Sequence, residues 1–176
     1  MAYILIFLAG ISRVIPHPAN FTALNGIGLF GGKHLDRKTA IISIVFIMLF
    51  TDGLLGFYNP KIMISVYLSL IISILLGQYL KYNFNTKNLF VAIFASSTVF
   101  FIITNLAVYF FSGMYVLNYS GLIRCFAMAL PFYRNMFLGD IIYTTAIFGT
   151  YAVLNNSKLK SQFSKYIVKL KIIFNS

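Results

Sequence analysis

The sequence contains no glutamate, and its 176 residues carry only three aspartates and one cysteine. Charge of either sign is scarce, at 10% of residues, against about a quarter in soluble domains, whose water-facing surface needs it. A soluble globular domain is therefore excluded. The lone Cys125 rules out an internal disulfide and a cysteine-rich metal site. Without glutamate there is no His-Glu-x-x-His zinc motif, and no serine–histidine pairing stands out. Phe137-Leu138-Gly139-Asp140 lacks the first glycine of the Gly-x-Gly-Asp motif of intramembrane aspartyl proteases, which share one proton between two carboxylates. The expectation is a protein that is not an enzyme, with no catalytic residue, no metal and no cofactor.

What is present is hydrophobic: 60% of residues, with a mean hydropathy of +0.86. The formal net charge of +11 forms no stripe with interleaved polar structure, so the footprint of a nucleic-acid partner is missing. In a membrane protein the same excess reads as cytoplasmic loop charge. A spanning helix needs about 20 mostly apolar residues. Thr39–Tyr58, Ile62–Leu80 and Leu89–Phe111 meet this, and Met136–Leu154 meets it with one interruption at Asp140. Ala2–Ile15 is apolar but short, stopped by Pro16-His17-Pro18, and lacks the basic start and cleavage motif of a signal peptide. Phe21–Gly32 is a glycine-rich stretch that needs support from neighbouring helices. The fold class is thus an all-α integral membrane bundle of about six transmembrane helices.

Between Phe111 and Met136, the mixed segment Ser112–Asn135 is too polar and too short to span, and a half-helix or a capping loop is expected there. Residues 1–156 form the bundle. Residues 157–176 form a basic tail in which Leu159, Phe163, Ile167, Leu170 and Phe174 recur at helical spacing between lysines. Such a helix lies on anionic membrane lipid. Six spans with a cytoplasmic tail put ten of the 14 lysines and arginines inside, so both termini are expected in the cytoplasm. Arg13, Lys61, Arg124 and Arg134 then lie outside.

In that topology the polar residues gather in the outer half. Ionisable groups at membrane depth usually face a cavity or each other. The candidate solute-binding residues are Arg13, His17, Asn20, Asp52, Asn105 and Asp140, with Tyr67, Arg124 and Arg134 as further candidates. Each has a plainer reading. Arg13 can snorkel or pair with Asp52 or Asp140. Asp140, after Gly139 at the expected start of helix 6, can complement the helix dipole. His17 between two prolines can simply be solvated, and Asn105 can bond across helices. Asp52 lies several residues inside its helix, so a cap does not explain it. Tyr67, Phe100, Phe101 and Tyr109 can be packing or interface aromatics. The glycines Gly26, Gly28, Gly31 and Gly32 match no phosphate-binding pattern and read as close helix packing.

The order of these features resembles a known family. Arg13-Val14-Ile15-Pro16-His17-Pro18-Ala19-Asn20-Phe21-Thr22 leads to Gly31-Gly32, and Phe50-Thr51-Asp52-Gly53-Leu54-Leu55-Gly56-Phe57 follows one basic loop. Phe100-Phe101 with Thr104-Asn105, and Pro131-Phe132 with Gly139-Asp140, complete the series. Over residues 3 to 152 this resembles a family of small, uncharacterised bacterial membrane proteins described only as candidate transport proteins. More distantly it is similar to the S components of energy-coupling factor vitamin transporters. The resemblance implies an inner-membrane protein that binds a small-molecule solute in the outer half and works with an energising partner protein. Helix 1 offers Ala2, Ala9, Gly10 and Ser12, not the Ala-xxx-Ala spacing with which S components dock that partner. Solute transport is the leading expectation. The alternative is a structural or accessory membrane protein whose charges pair internally.

Overall fold

A computed structural model describes residues 1–156. The expected basic tail, 157–176, lies outside the described residues. Among the described residues six helices follow one another: α1 (Ala2–Ile11), α2 (Leu24–His34), α3 (Arg37–Leu55), α4 (Pro60–Tyr82), α5 (Thr86–Phe111) and α6 (Tyr119–Asn155). No strand occurs among the described residues. Four of the helices, α3 to α6, are long and apolar enough to cross a membrane.

Short polar side chains set the starts of these four. Asp36 Oδ2 accepts from the Thr39 amide at 2.9 Å ahead of α3, and Asn85 Oδ1 from the Asn88 amide at 2.8 Å ahead of α5. Asn59 caps α4 through the Lys61 amide at 3.0 Å, with Pro60 in the first turn, where its missing N–H leaves no bond unmade. Asn118 Oδ1 accepts from the Gly121 amide at 2.8 Å and starts α6. Each cap satisfies amides that a helix leaves open at its first turn.

Two findings differ from the sequence expectation. First, α1 has 10 residues and α2 has 11, which at 1.5 Å per residue gives roughly 15 Å each, half of an apolar membrane core. Second, the half-helix or capping loop expected over Ser112–Asn135 is the first part of one uninterrupted helix. α6 runs for 37 residues with Pro131 inside it, roughly 55 Å in length. Only residues 112–118 remain as a connection, turned by Gly113 at φ 72. The physical reason is a stripe of small buried residues, Gly121, Cys125 and Ala129, at four-residue spacing. They lie along one face of the helix, while Arg124 points to the exposed side.

α2 is the core of the bundle. Every residue from Leu24 to Gly32 is buried, which no amphipathic helix could achieve without neighbours on all sides. Its glycines permit this. A Cβ on Gly32 would run into the Ile74 carbonyl oxygen, one on Gly77 into the Leu29 carbonyl, and one on Gly28 would stand 2.8 Å from Ser73 Cβ. Gly32 on α2 thus meets the α4 backbone at Ile74, Gly77 on α4 meets the α2 backbone at Leu29, and Gly28 makes room for Ser73, the small-residue packing used where helices meet in membranes. Leu29, Phe30, Leu70 and Ile74 fill the surrounding core. The opposite surfaces of α3, α4 and α5 expose Ile42, Phe46, Leu68, Phe90 and Phe94. In water such faces would be a liability; they are the faces that lipid would cover.

Candidate functional site

Arg13 sits in the turn just after α1, at the same end of the bundle as the last turn of α3. Its Nη1 lies 2.6 Å from Asp52 Oδ1 and donates to Thr51 Oγ1, also at 2.6 Å. Asp52 is fully buried. Its other oxygen, Oδ2, accepts from the Tyr67 hydroxyl of α4 at 2.6 Å. The guanidinium aligns with Thr51, so Oδ1 has the cation's charge beside it but no aligned hydrogen bond. Tyr58, in the connection between α3 and α4, is pushed up to about 12 by burial and next by the Asp52 carboxylate, with Arg13 opposing. Its phenol therefore stays a neutral hydroxyl.

A second polar cluster joins four helices deeper in the bundle. Ser73 of α4 donates to Asn25 Oδ1 at 2.9 Å, and Asn25 Nδ2 of α2 donates to Asp140 Oδ2 of α6 at 2.8 Å. Ser97 of α5 donates to the same oxygen at 2.6 Å. All four residues are buried. Gly26 makes room beside Asn25, since a Cβ there would meet Thr144 Oγ1 at 2.7 Å. Asp140 does not cap a helix. It lies well inside α6, which begins at Tyr119 and not near Gly139, and it is held by side chains of neighbouring helices.

Between these clusters and the α5–α6 pair opens a cavity of about 630 Å³. Arg13, Asn20 and Asn25 form one wall, Thr104 and Asn105 of α5 another, and Cys125, Ala129 and Met136 line it from α6. Phe100, Met128 and Phe132 add an apolar side, and Tyr58 and Tyr115 contribute hydroxyls near the connections. Thr104 donates back to the Phe100 carbonyl at 2.8 Å, and Asn105 Nδ2 to the Phe101 carbonyl at 2.7 Å. The acceptor lone pairs of both side chains remain available to a ligand.

Of the residues singled out from sequence, Arg13, Asn20 and Asn105 stand on the cavity wall. Asp52 and Tyr67 lie one layer behind Arg13, and Asp140 lies behind Asn25. His17 braces the loop after α1, with Nδ1 2.8 Å from the Pro18 carbonyl and Nε2 3.3 Å from the Arg13 carbonyl. Arg124 lines a separate depression with Tyr115, Val116 and Asn118. Arg134 is exposed and touches neither. Of the four aromatic candidates, Phe100 reaches the wall, Phe101 packs on Phe126 and Tyr133, and Tyr109 bonds to the Asn118 carbonyl. Sequence reasoning missed Asn25, Ser73 and Ser97. Asn25 had a signal, because a lone amide inside an apolar glycine-rich helix needs a partner. The two serines had none.

A family model, described as a family of unknown function (DUF6580), matches residues 1–163. No curated protein and no solved structure matches the chain.

Proposed function

We propose, for a chain that belongs to the DUF6580 family of unknown function, that it captures a small solute in the half of the bundle around Arg13 and serves its transport across a membrane. The observation that carries this reading is the cavity of about 630 Å³. It falls within the roughly 300–1,000 Å³ of small-molecule sites, and like them it is mostly apolar with a few convergent polar groups. In this reading the hairpin of α1 and α2 supplies the two remaining crossings, which makes six in all. Each is completed by the residues flanking a helix about half a membrane core long, with α2 buried inside the bundle and α1 turning Tyr3, Ile4, Phe7 and Leu8 outward. Both termini are cytoplasmic, because most lysines and arginines then lie inside, and Arg13 faces the exterior. The arrangement is that of an S-component-like protein of a bacterial inner membrane. Solute enters beneath the loop after α1, and the bundle then rearranges, with energy from a partner protein. No bond-making chemistry is assigned.

The test is a thermal-shift screen of the purified protein against vitamins, nucleobases and their precursors, with Arg13→Ala, Asp52→Asn and the cavity-filling Ala129→Phe alongside. A saturable stabilisation of the wild type that Ala129→Phe abolishes is the expected result. A second reading, a structural or accessory membrane protein, is favoured by one observation: Asp52 and Asp140 already have protein partners. If no compound stabilises the wild type while Arg13→Ala and Asp52→Asn both melt lower, that reading takes the lead.

A further inference from the structure

The charges around the cavity constrain what it can hold. Resting on the solute-binding reading, we propose that the cavity takes a solute without net charge, with an apolar body and a few hydrogen-bonding groups. Among the described residues Arg13 is the only ionised side chain on the wall, and its charge is matched by Asp52 directly behind it at 2.6 Å. An anionic ligand meets a guanidinium whose charge the fully buried Asp52 carboxylate already neutralises, and drawing that guanidinium away to claim its charge would strand the carboxylate, which is strongly unfavourable. A cationic ligand finds no acid on the wall: Asp52 is covered by Arg13 and Tyr67, and Asp140 by Asn25 and Ser97. Nearby cations are engaged or elsewhere, since Lys61 Nζ lies 4.9 Å above the Phe111 ring and Arg124 lines another depression.

The remaining polar groups are neutral. Asn105 and Thr104 keep acceptor lone pairs, the Tyr58 hydroxyl makes no hydrogen bond among the described residues, and the second Arg13 amino group can donate to a carbonyl without leaving Asp52. Beside them stand Phe100, one turn from Thr104 on α5, and Met128, Phe132 and Met136 of α6. Aromatic rings and soft thioethers adapt to a flat or irregular apolar body.

Cys125 is the chain's single cysteine and lies on the wall, so it can report which molecules enter without the solute being known. The full chain in detergent is treated with four methanethiosulfonate reagents bearing benzyl, hydroxyethyl, trimethylammonioethyl and sulfonatoethyl groups. Rates come from intact mass and are divided by those of an exposed reference thiol, Tyr119→Cys in a Cys125→Ser background. The two uncharged reagents are expected to react about tenfold faster than either charged one, because a lone ion enters a low-dielectric cavity poorly, with benzyl at least as fast as hydroxyethyl. Asp52→Asn, which leaves Arg13 unpaired, is expected to speed the sulfonate several-fold and leave the benzyl rate within twofold.

A charged reagent that matches the uncharged ones in the wild type overturns the inference while leaving solute binding intact. A benzyl rate well below hydroxyethyl overturns the apolar body. If no reagent reaches Cys125, the series is repeated on Thr104→Cys in the Cys125→Ser background. Failure there too means that the cavity admits no solute, and the parent reading falls with the inference.

Discussion

Arg13 and Asp52 form the one ion pair among the described residues, and its energetics follow from burial. Removing Arg13 strands the fully buried Asp52 carboxylate, a loss of about 3–5 kcal/mol. Removing Asp52 leaves a guanidinium that still faces the cavity and costs less, and removing both together costs less than the sum of the two. Arg13→Ala and Asp52→Asn should therefore each lower the unfolding free energy, and the double variant should recover a large part of the sum. A double-mutant cycle read by thermal or denaturant unfolding in detergent decides this; additive losses would mean that the pair is not coupled. Asp140 differs because its partners, Asn25 and Ser97, are neutral. Asp140→Asn keeps the shape and most of the hydrogen bonds and should unfold within about 1 kcal/mol of the wild type. Asp140→Leu, which orphans both donors, should lose about 1–3 kcal/mol for each group left unpaired.

At the scale of helices, glycine positions separate into two kinds. Gly32 and Gly77 lie where a side chain would strike the backbone of the facing helix, while Gly53 and Gly149 have nothing within 4 Å. Gly32→Ala and Gly77→Ala should each prevent α2 and α4 from closing, seen as a collapse of the monodisperse peak in size-exclusion chromatography. Gly53→Ala and Gly149→Ala should be neutral or stabilising by up to about 1 kcal/mol, since alanine is the better helix former. Most of this layer was legible in the sequence. Thr39–Tyr58, Ile62–Leu80 and Leu89–Phe111 differ from α3, α4 and α5 by only a few residues at each end, because long apolar runs between polar caps leave few alternatives. The first half of α6 was not legible. Arg124, Pro131, Arg134 and Asn135 broke the apolar run, and the spacing of Gly121, Cys125 and Ala129 that carries the helix gains meaning only once α5 is beside it. The site divides in the same way. A charge in an apolar helix, as at Asp52, announces itself, but Ser73 and Ser97 become ligands of Asn25 and Asp140 only through which helices abut.

For the molecule as a whole, the lopsided distribution of basic residues makes a prediction about orientation. With Tyr119→Cys at the Arg13 end and Asn83→Cys in the α4–α5 connection, each in a Cys125→Ser background, a membrane-impermeant thiol reagent applied to intact cells should label the first and not the second. The reverse pattern would overturn the proposed orientation and with it entry of solute from outside. The burial of α2 also bears on how the chain is made. Its 11 residues have no face turned outward over Leu24–Gly32, and its closest companions, α4 and α6, come later in the chain. A ribosome therefore emits the keystone before the arch. The hairpin of α1 and α2 has no finished place to occupy until α4 has been inserted and α6 has followed. Until then it must wait at the membrane surface or in the care of the insertion machinery, and a chain truncated after α3 should leave this hairpin open to protease. Assembly of this bundle is completed from the far end of the chain back to its beginning.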